Sequence, residues 1–194
     1  MKCCIFVKTE FSPLKELFLK YKSVVRFILL FLGTYLLLTA CYALYLSMSK
    51  GGQYAPDLIT HLVARQCSDI LEGLGYAATV SPSESQPLME LYVRGKYIAR
   101  IIEGCNAISI IILFTAFVVA FAQQLKKTAL FILAGAVLIY STNIIRIVIL
   151  AVSLYHYPQY KEVLHGVVFP GLIYGMVFLL WMLWVRLVKP KKYE

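Results

Sequence analysis

Charge is what this chain has least of. Only 15% of its 194 residues are Asp, Glu, Lys or Arg, against 60% hydrophobic, a balance too apolar for a soluble domain of this length. Acidic side chains are scarcer still, ten against nineteen lysines and arginines. Metal-ligand spacing is missing too: Cys3 and Cys4 are adjacent, which matches no metal motif, and they would face a reducing compartment. The first apolar run lacks a small-residue cleavage site and is too long for the core of a signal peptide, so it is expected to remain as an anchor. These absences leave an integral membrane protein.

Long apolar runs are what the chain has in plenty. Four can cross a bilayer, which takes roughly 20 apolar residues per helix: 24–46, 106–122, 128–154 and 167–188. The expected fold class is therefore an all-α integral membrane protein of four transmembrane helices. Gly33, Gly135, Gly171 and Gly175 lie inside these runs, where small residues permit close helix packing. Tyr42, Tyr45, Tyr155, Tyr157, Trp181 and Trp184 sit mostly near the ends, as interfacial anchors do.

Positive residues set the orientation. Lys2, Lys8, Lys15, Lys20 and Lys22 precede the first run and Arg26 lies at its start, Lys126 and Lys127 separate the second from the third, and Arg186 near the end of the fourth is followed by Lys189, Lys191 and Lys192. With four spans all of these fall on one side, so both termini are expected in the cytoplasm. The net charge of +9 is then a topology signal and an attraction to anionic lipid, and no nucleic-acid partner is expected.

Five segments follow. Residues 1–23 form a cytoplasmic arm that can be amphipathic from Pro13 onward, and 24–46 the first span. The external segment 47–103 opens with Gly51 and Gly52, has helical periodicity over 57–74, and then carries two strand-like runs, 76–80 and 88–101, as a β-hairpin. Arg94, Gly95 and Lys96 suit a tight turn that can split the second run. Residues 104–188 hold the remaining three spans, and 189–194 a basic tail. The external segment is too small to bury a core alone and must pack on the spans or on a partner. His61 in it reads as an ordinary interfacial histidine.

Chemistry concentrates where that segment meets the second run, at Glu103-Gly-Cys105-Asn106. A thiol at a helix N-terminus has unsatisfied N–H groups and a positive dipole end beside it, which favours thiolate. Arg146 lies inside the third run, roughly 8 residues or ~12 Å from its external end, where a lone arginine costs on the order of 2.5 to 3.5 kcal/mol on insertion scales. Asn143 is one helical turn earlier on the same face. His165 stands at the external start of the fourth run. Cys105, Arg146 and His165 thus come from three helices toward one face, a set suited to cysteine acyl transfer: nucleophile, oxyanion stabiliser, and proton carrier. One cysteine and one histidine beside a cation are too few ligands for a metal.

These residues also resemble a known family. Glu103-Gly-Cys105-Asn106, Asn143-Ile-Ile-Arg146-Ile, and His165 before a glycine-containing span resemble the exosortase/archaeosortase family, and the small size resembles its exosortase F branch in Bacteroidetes. The resemblance implies a membrane cysteine protease or transpeptidase on the periplasmic side of the inner membrane. Catalysis would rest on Cys105, Arg146 and His165, supported by Glu103, Asn143 and Asn106, with no cofactor and no metal. Implied partners are secreted proteins with a C-terminal signal of short motif, membrane helix and basic tail, together with membrane lipid and an accessory membrane protein. Two departures stand out: Ala107 replaces the glycine that many members carry two residues after the cysteine, and typical members have about twice as many spans. Two other readings share these residues. In a non-enzymatic assembly or transporter subunit, Glu103 would pair with Arg146 and Cys67 would be disulfide-bonded to Cys105. A Cys-dependent lipid acyltransferase would use the same thiol chemistry.

Overall fold

The computed structural model describes residues 21–49, 56–83, 86–122 and 124–188. The amphipathic arm up to residue 20, the Gly51-Gly52 opening and the tail beyond 188 lie outside them. The described chain runs α1 (Lys22–Ser49), α2 (Leu58–Gly73), β1 (Ala78–Pro82), β2 (Met89–Val93), β3 (Lys96–Ile101), a 3₁₀ turn (Glu103–Cys105), α3 (Ile108–Ala120), α4 (Leu125–His156), and α5 (Phe169–Leu187). Between α4 and α5 lie a 3₁₀ turn (Pro158–Tyr160), one turn of helix (Lys161–Val163), and a π-helical turn (Leu164–Val168).

The molecule is mostly helical. Three helical stretches are long and apolar enough to cross a membrane: Lys22–Ser49, Leu125–His156 and Pro158–Leu187. The second expected run gives only the 13 residues of α3. At 1.5 Å per residue that is about 20 Å, short of a hydrocarbon core of about 30 Å. Its start is cut back by the chemistry of Glu103 to Ala107, which folds as a 3₁₀ turn and a left-handed residue instead of extending the helix.

The insertion after α1 is a helix and a three-stranded antiparallel meander, ordered β1-β2-β3. The expected hairpin gains a strand because Arg94 (φ 50°) and Gly95 (φ 74°) both adopt positive φ, the requirement of a tight primed turn, and break the 88–101 run in two. Asp57 starts α2 by accepting the N–H groups of Ile59 (2.9 Å) and Thr60 (3.1 Å).

Burial divides the fold into two cores. In the first, Val63, Cys67 and Leu71 of α2 and Met89, Leu91 and Val93 of the sheet pack against Ile144, Ile147, Val148 and Ala151 of α4. This supplies the support that so small an insertion cannot give itself. In the second, Phe114 and Val118 of α3 meet Ile139 of α4 and Val177 and Trp184 of α5. Trp184 is buried and donates its indole N–H to the Val118 carbonyl (3.2 Å), so it ties helices together instead of anchoring at an interface. Of the four span glycines only Gly135 is tightly packed, beneath the Phe114 ring; Gly33, Gly171 and Gly175 have open space where a Cβ would go. α1 buries no residue and touches α3 through Phe27 against Phe117 and Phe121.

Candidate functional site

The two cores meet at the chain between β3 and α3. Cys105 packs on the first core and Ala107 belongs to the second. Cys105 is not in the first turn of α3, as its sequence position suggests. It closes the Glu103–Cys105 3₁₀ turn, its N–H donating to the Ile102 carbonyl (2.8 Å), and α3 begins three residues later.

Two buried asparagines fix that turn. Asn143 of α4, 1% exposed, donates its side-chain amide to the Cys105 carbonyl at 2.6 Å. Asn106 is fully buried and spends its amide on Tyr42 of α1 (2.7 Å) and Thr60 of α2 (3.1 Å), while its carbonyl accepts from Ile108 N (3.1 Å) at the start of α3. One side chain therefore joins three helices beside the thiol. Ala107 follows with φ +66°, a left-handed backbone that favours glycine, at the position where the sequence departs from the resemblance.

Cys105 and His165 line one cavity of about 380 Å³. His165 sits within the π-helical turn Leu164–Val168, a local distortion that recurs at functional sites. Leu150 and Leu154 of α4, Lys161, Ile102 and Tyr97 to Arg100 of β3 complete the lining. No carboxylate lines the cavity, whereas Arg100 and Lys161 do. Arg146 is outside the lining, one helical turn before Leu150 on the same stripe of α4. Its Nε is buried and has no hydrogen-bond partner. The sequence reading missed Tyr97, Arg100 and Lys161; the only available signal was that β3 runs directly into the Cys105 turn.

The supports of a purely structural reading are not found among the described residues. Cys67 and Cys105 are both free thiols. Burial, and secondarily the nearby Cys105 thiol, push the Cys67 pKa from its ordinary 9.0 up to about 12, which keeps it protonated and inert. Glu103 is half-buried at the head of the 3₁₀ turn and forms no ion pair with Arg146. No group of three or more His, Cys, Asp or Glu side chains suited to a metal occurs among the described residues.

No curated protein and no solved structure matches this chain. A family model does: that of the transmembrane exosortase (Exosortase_EpsH), over residues 19–185, which takes in α1, the meander, the Cys105 turn, Arg146 and His165. With three apolar helices of spanning length and a match over most of its length, this multi-pass membrane protein belongs to the transmembrane exosortase family.

Proposed function

We propose that this chain is a membrane-embedded cysteine protease or transpeptidase, of the small exosortase F-like kind, that removes a C-terminal sorting signal from secreted proteins on the periplasmic face of the inner membrane. The observation that carries the reading is the shared cavity of Cys105 and His165. In the family context of a cysteine transpeptidase, a thiol and an imidazole lining one cleft between separately folded elements supports acyl transfer.

The chemistry runs in balanced steps. The Cys105 sulfur bonds to the scissile carbonyl carbon while His165 takes the thiol proton. Arg146, one helical turn from the lining, offsets the negative charge that grows on the carbonyl oxygen; its buried Nε has no hydrogen-bond partner, which leaves that donor unspent. Collapse of the tetrahedral intermediate breaks the C–N bond, and His165 returns its proton to the leaving amine, which departs with the signal's membrane helix. The acyl group remains on Cys105 as a thioester until water or an amine attacks and restores the thiol. Asn143 and Asn106 hold the nucleophile's turn in place. In the membrane the Glu103–Ala120 region acts as a fourth span, its short helix α3 extended by the turn that carries the thiol. Residues 47–103 then lie outside, with 1–23 and 189–194 in the cytoplasm.

The test is a reporter fused to the C-terminal tail of a secreted protein from the native cell that ends in short motif, apolar helix and basic residues. Co-expression with the wild-type chain shortens the reporter. Cys105→Ala abolishes the shortening while remaining in the membrane, Arg146→Ala does nearly the same, and His165→Ala is strongly impaired. Normal processing by Cys105→Ala ends the reading.

A further inference from the structure

The cavity has a wall whose geometry exceeds what a thiol and an imidazole need. Tyr97, Ile98, Ala99 and Arg100 of β3 are consecutive, and all four line it. A bulge at Ile98 interrupts the usual alternation, so Tyr97 and Arg100 pair with Tyr92 and Glu90 on one face while Ala99 pairs with Leu91 on the other; a cavity bounded by all of them runs along the strand's edge and not over one face. β3 is the last strand of the sheet, paired to β2 on one side only. Among the described residues no backbone hydrogen bond reaches its other side. The opposite edge strand, β1, takes no part in the cavity.

An open edge is a template for another extended chain, and proteins usually guard it. Here Lys96 and Arg100 sit toward the ends of the strand and a bulge at Ile98 bends it between them, but no charged side chain falls within Tyr97 to Ala99. The edge also leads somewhere. β3 ends at Ile101, four residues before Cys105, and its cavity contains both Cys105 and His165. A peptide laid along the edge has one end at the thiol.

We infer that the substrate segment just ahead of the scissile bond docks by strand addition to the open edge of β3. Main-chain hydrogen bonds to residues 97–100 hold it extended, and its next carbonyl is delivered to Cys105. Because the portion beyond the cleavage point continues as a membrane helix, as α3 does beyond Cys105, the docked segment runs in the same direction as β3. Recognition through the main chain tolerates varied side chains, with Leu150 and Leu154 supplying the apolar floor. This inference rests on the processing reading above.

Cysteine cross-linking in membranes tests it. In a Cys105→Ala background, Tyr97→Cys is paired with the reporter carrying a single cysteine at each of six successive positions ahead of its cleavage point. Tyr97 is 51% exposed, so its replacement leaves the core intact. Strand addition gives cross-links at alternate positions, and moving the enzyme's cysteine to Arg100 shifts the reactive set toward the cleavage point. Reactive positions three or four apart, equal reaction at all six, or no cross-link while the wild-type chain still cleaves the same reporters each overturn the docking alone. Reporters left uncleaved by the wild-type chain overturn the processing reading and the docking with it.

Discussion

Replacing Asn143 by leucine separates holding the nucleophile from holding the fold. Leucine keeps the branched shape but is larger than asparagine at a site that is 1% exposed, and the Cys105 carbonyl loses the amide that donates to it at 2.6 Å. A buried acceptor left without a partner costs about 1–3 kcal/mol. For a chain of this size each kcal/mol moves the melting temperature by about 2–4 °C, so the lost bond alone lowers it by roughly 2–12 °C in detergent. The functional effect is larger in proportion. With Asn143 gone, the turn keeps its own backbone bonds and the Asn106 network, which act on either side of Cys105 without touching its carbonyl. A nucleophile displaced by about 1 Å loses on the order of 10²-fold in rate. Processing is to be followed as single-turnover cleavage of the reporter per folded enzyme at saturating and limiting substrate, with Asn143→Asp alongside. The aspartate variant, which faces the carbonyl with acceptors, falls at least as far in rate. Substrate affinity stays near wild type, because Asn143 lies outside the cavity lining. If Asn143→Leu melts lower yet cleaves at the wild-type rate, the amide holds the fold only. If neither changes, the bond is not formed in solution.

Other substitutions probe the frame around the site. Gly135→Ala drives a methyl into the Phe114 ring (2.5 Å to Cε1) and is expected to cost about 1–3 kcal/mol in melting experiments, with Phe114→Leu in the same chain restoring part of it; an unshifted melting curve for Gly135→Ala refutes the packing. At Ala107 (φ +66°), glycine relieves about 1–2 kcal/mol of left-handed strain but gives up roughly 0.8 kcal/mol of methyl burial and about 0.5–1 kcal/mol of chain entropy, so Ala107→Gly should melt close to wild type. The β-branched Ala107→Val should melt far lower, and a wild-type curve for it would remove the left-handed assignment. Cys67 gives a pH signature. Its thiol ionises near its ordinary value of 9.0 when unfolded and only near about 12 when folded, so the unfolded chain releases the proton first and the stabilisation present below pH 9 is lost as pH rises toward 12. Alkaline melting curves of Cys67→Ala should fall less steeply over that window; parallel curves would show that the thiol is not held this way.

Membrane character and the turn at Arg94-Gly95 were legible in the sequence, and the candidacy of Arg146 was raised there by its cost in a span. Each rests on a local property: run length, the cost of an ion in lipid, and the φ values glycine permits. The length of α3 was not legible, because composition reports that a run is apolar without reporting where its backbone leaves the helix. Nor was the role of Trp184, whose indole is an anchor or a helix tie according to what lies opposite. Asn143 was readable as a neighbour of Arg146 on one helical face; that it grips the Cys105 carbonyl depends on a contact across 38 residues of chain.

By itself, then, the sequence determined that the chain lives in a membrane and which residue types are available for chemistry, since hydropathy and charge are summed along the chain. Tertiary structure decided which of them share a space. It brought His165 to the cavity of Cys105 through a π-helical turn, left Arg146 one turn away with a buried donor, buried Cys67 as an inert thiol, and set the open edge of β3 beside the nucleophile. Proximity between distant segments is a property of packing, and packing depends on every element at once.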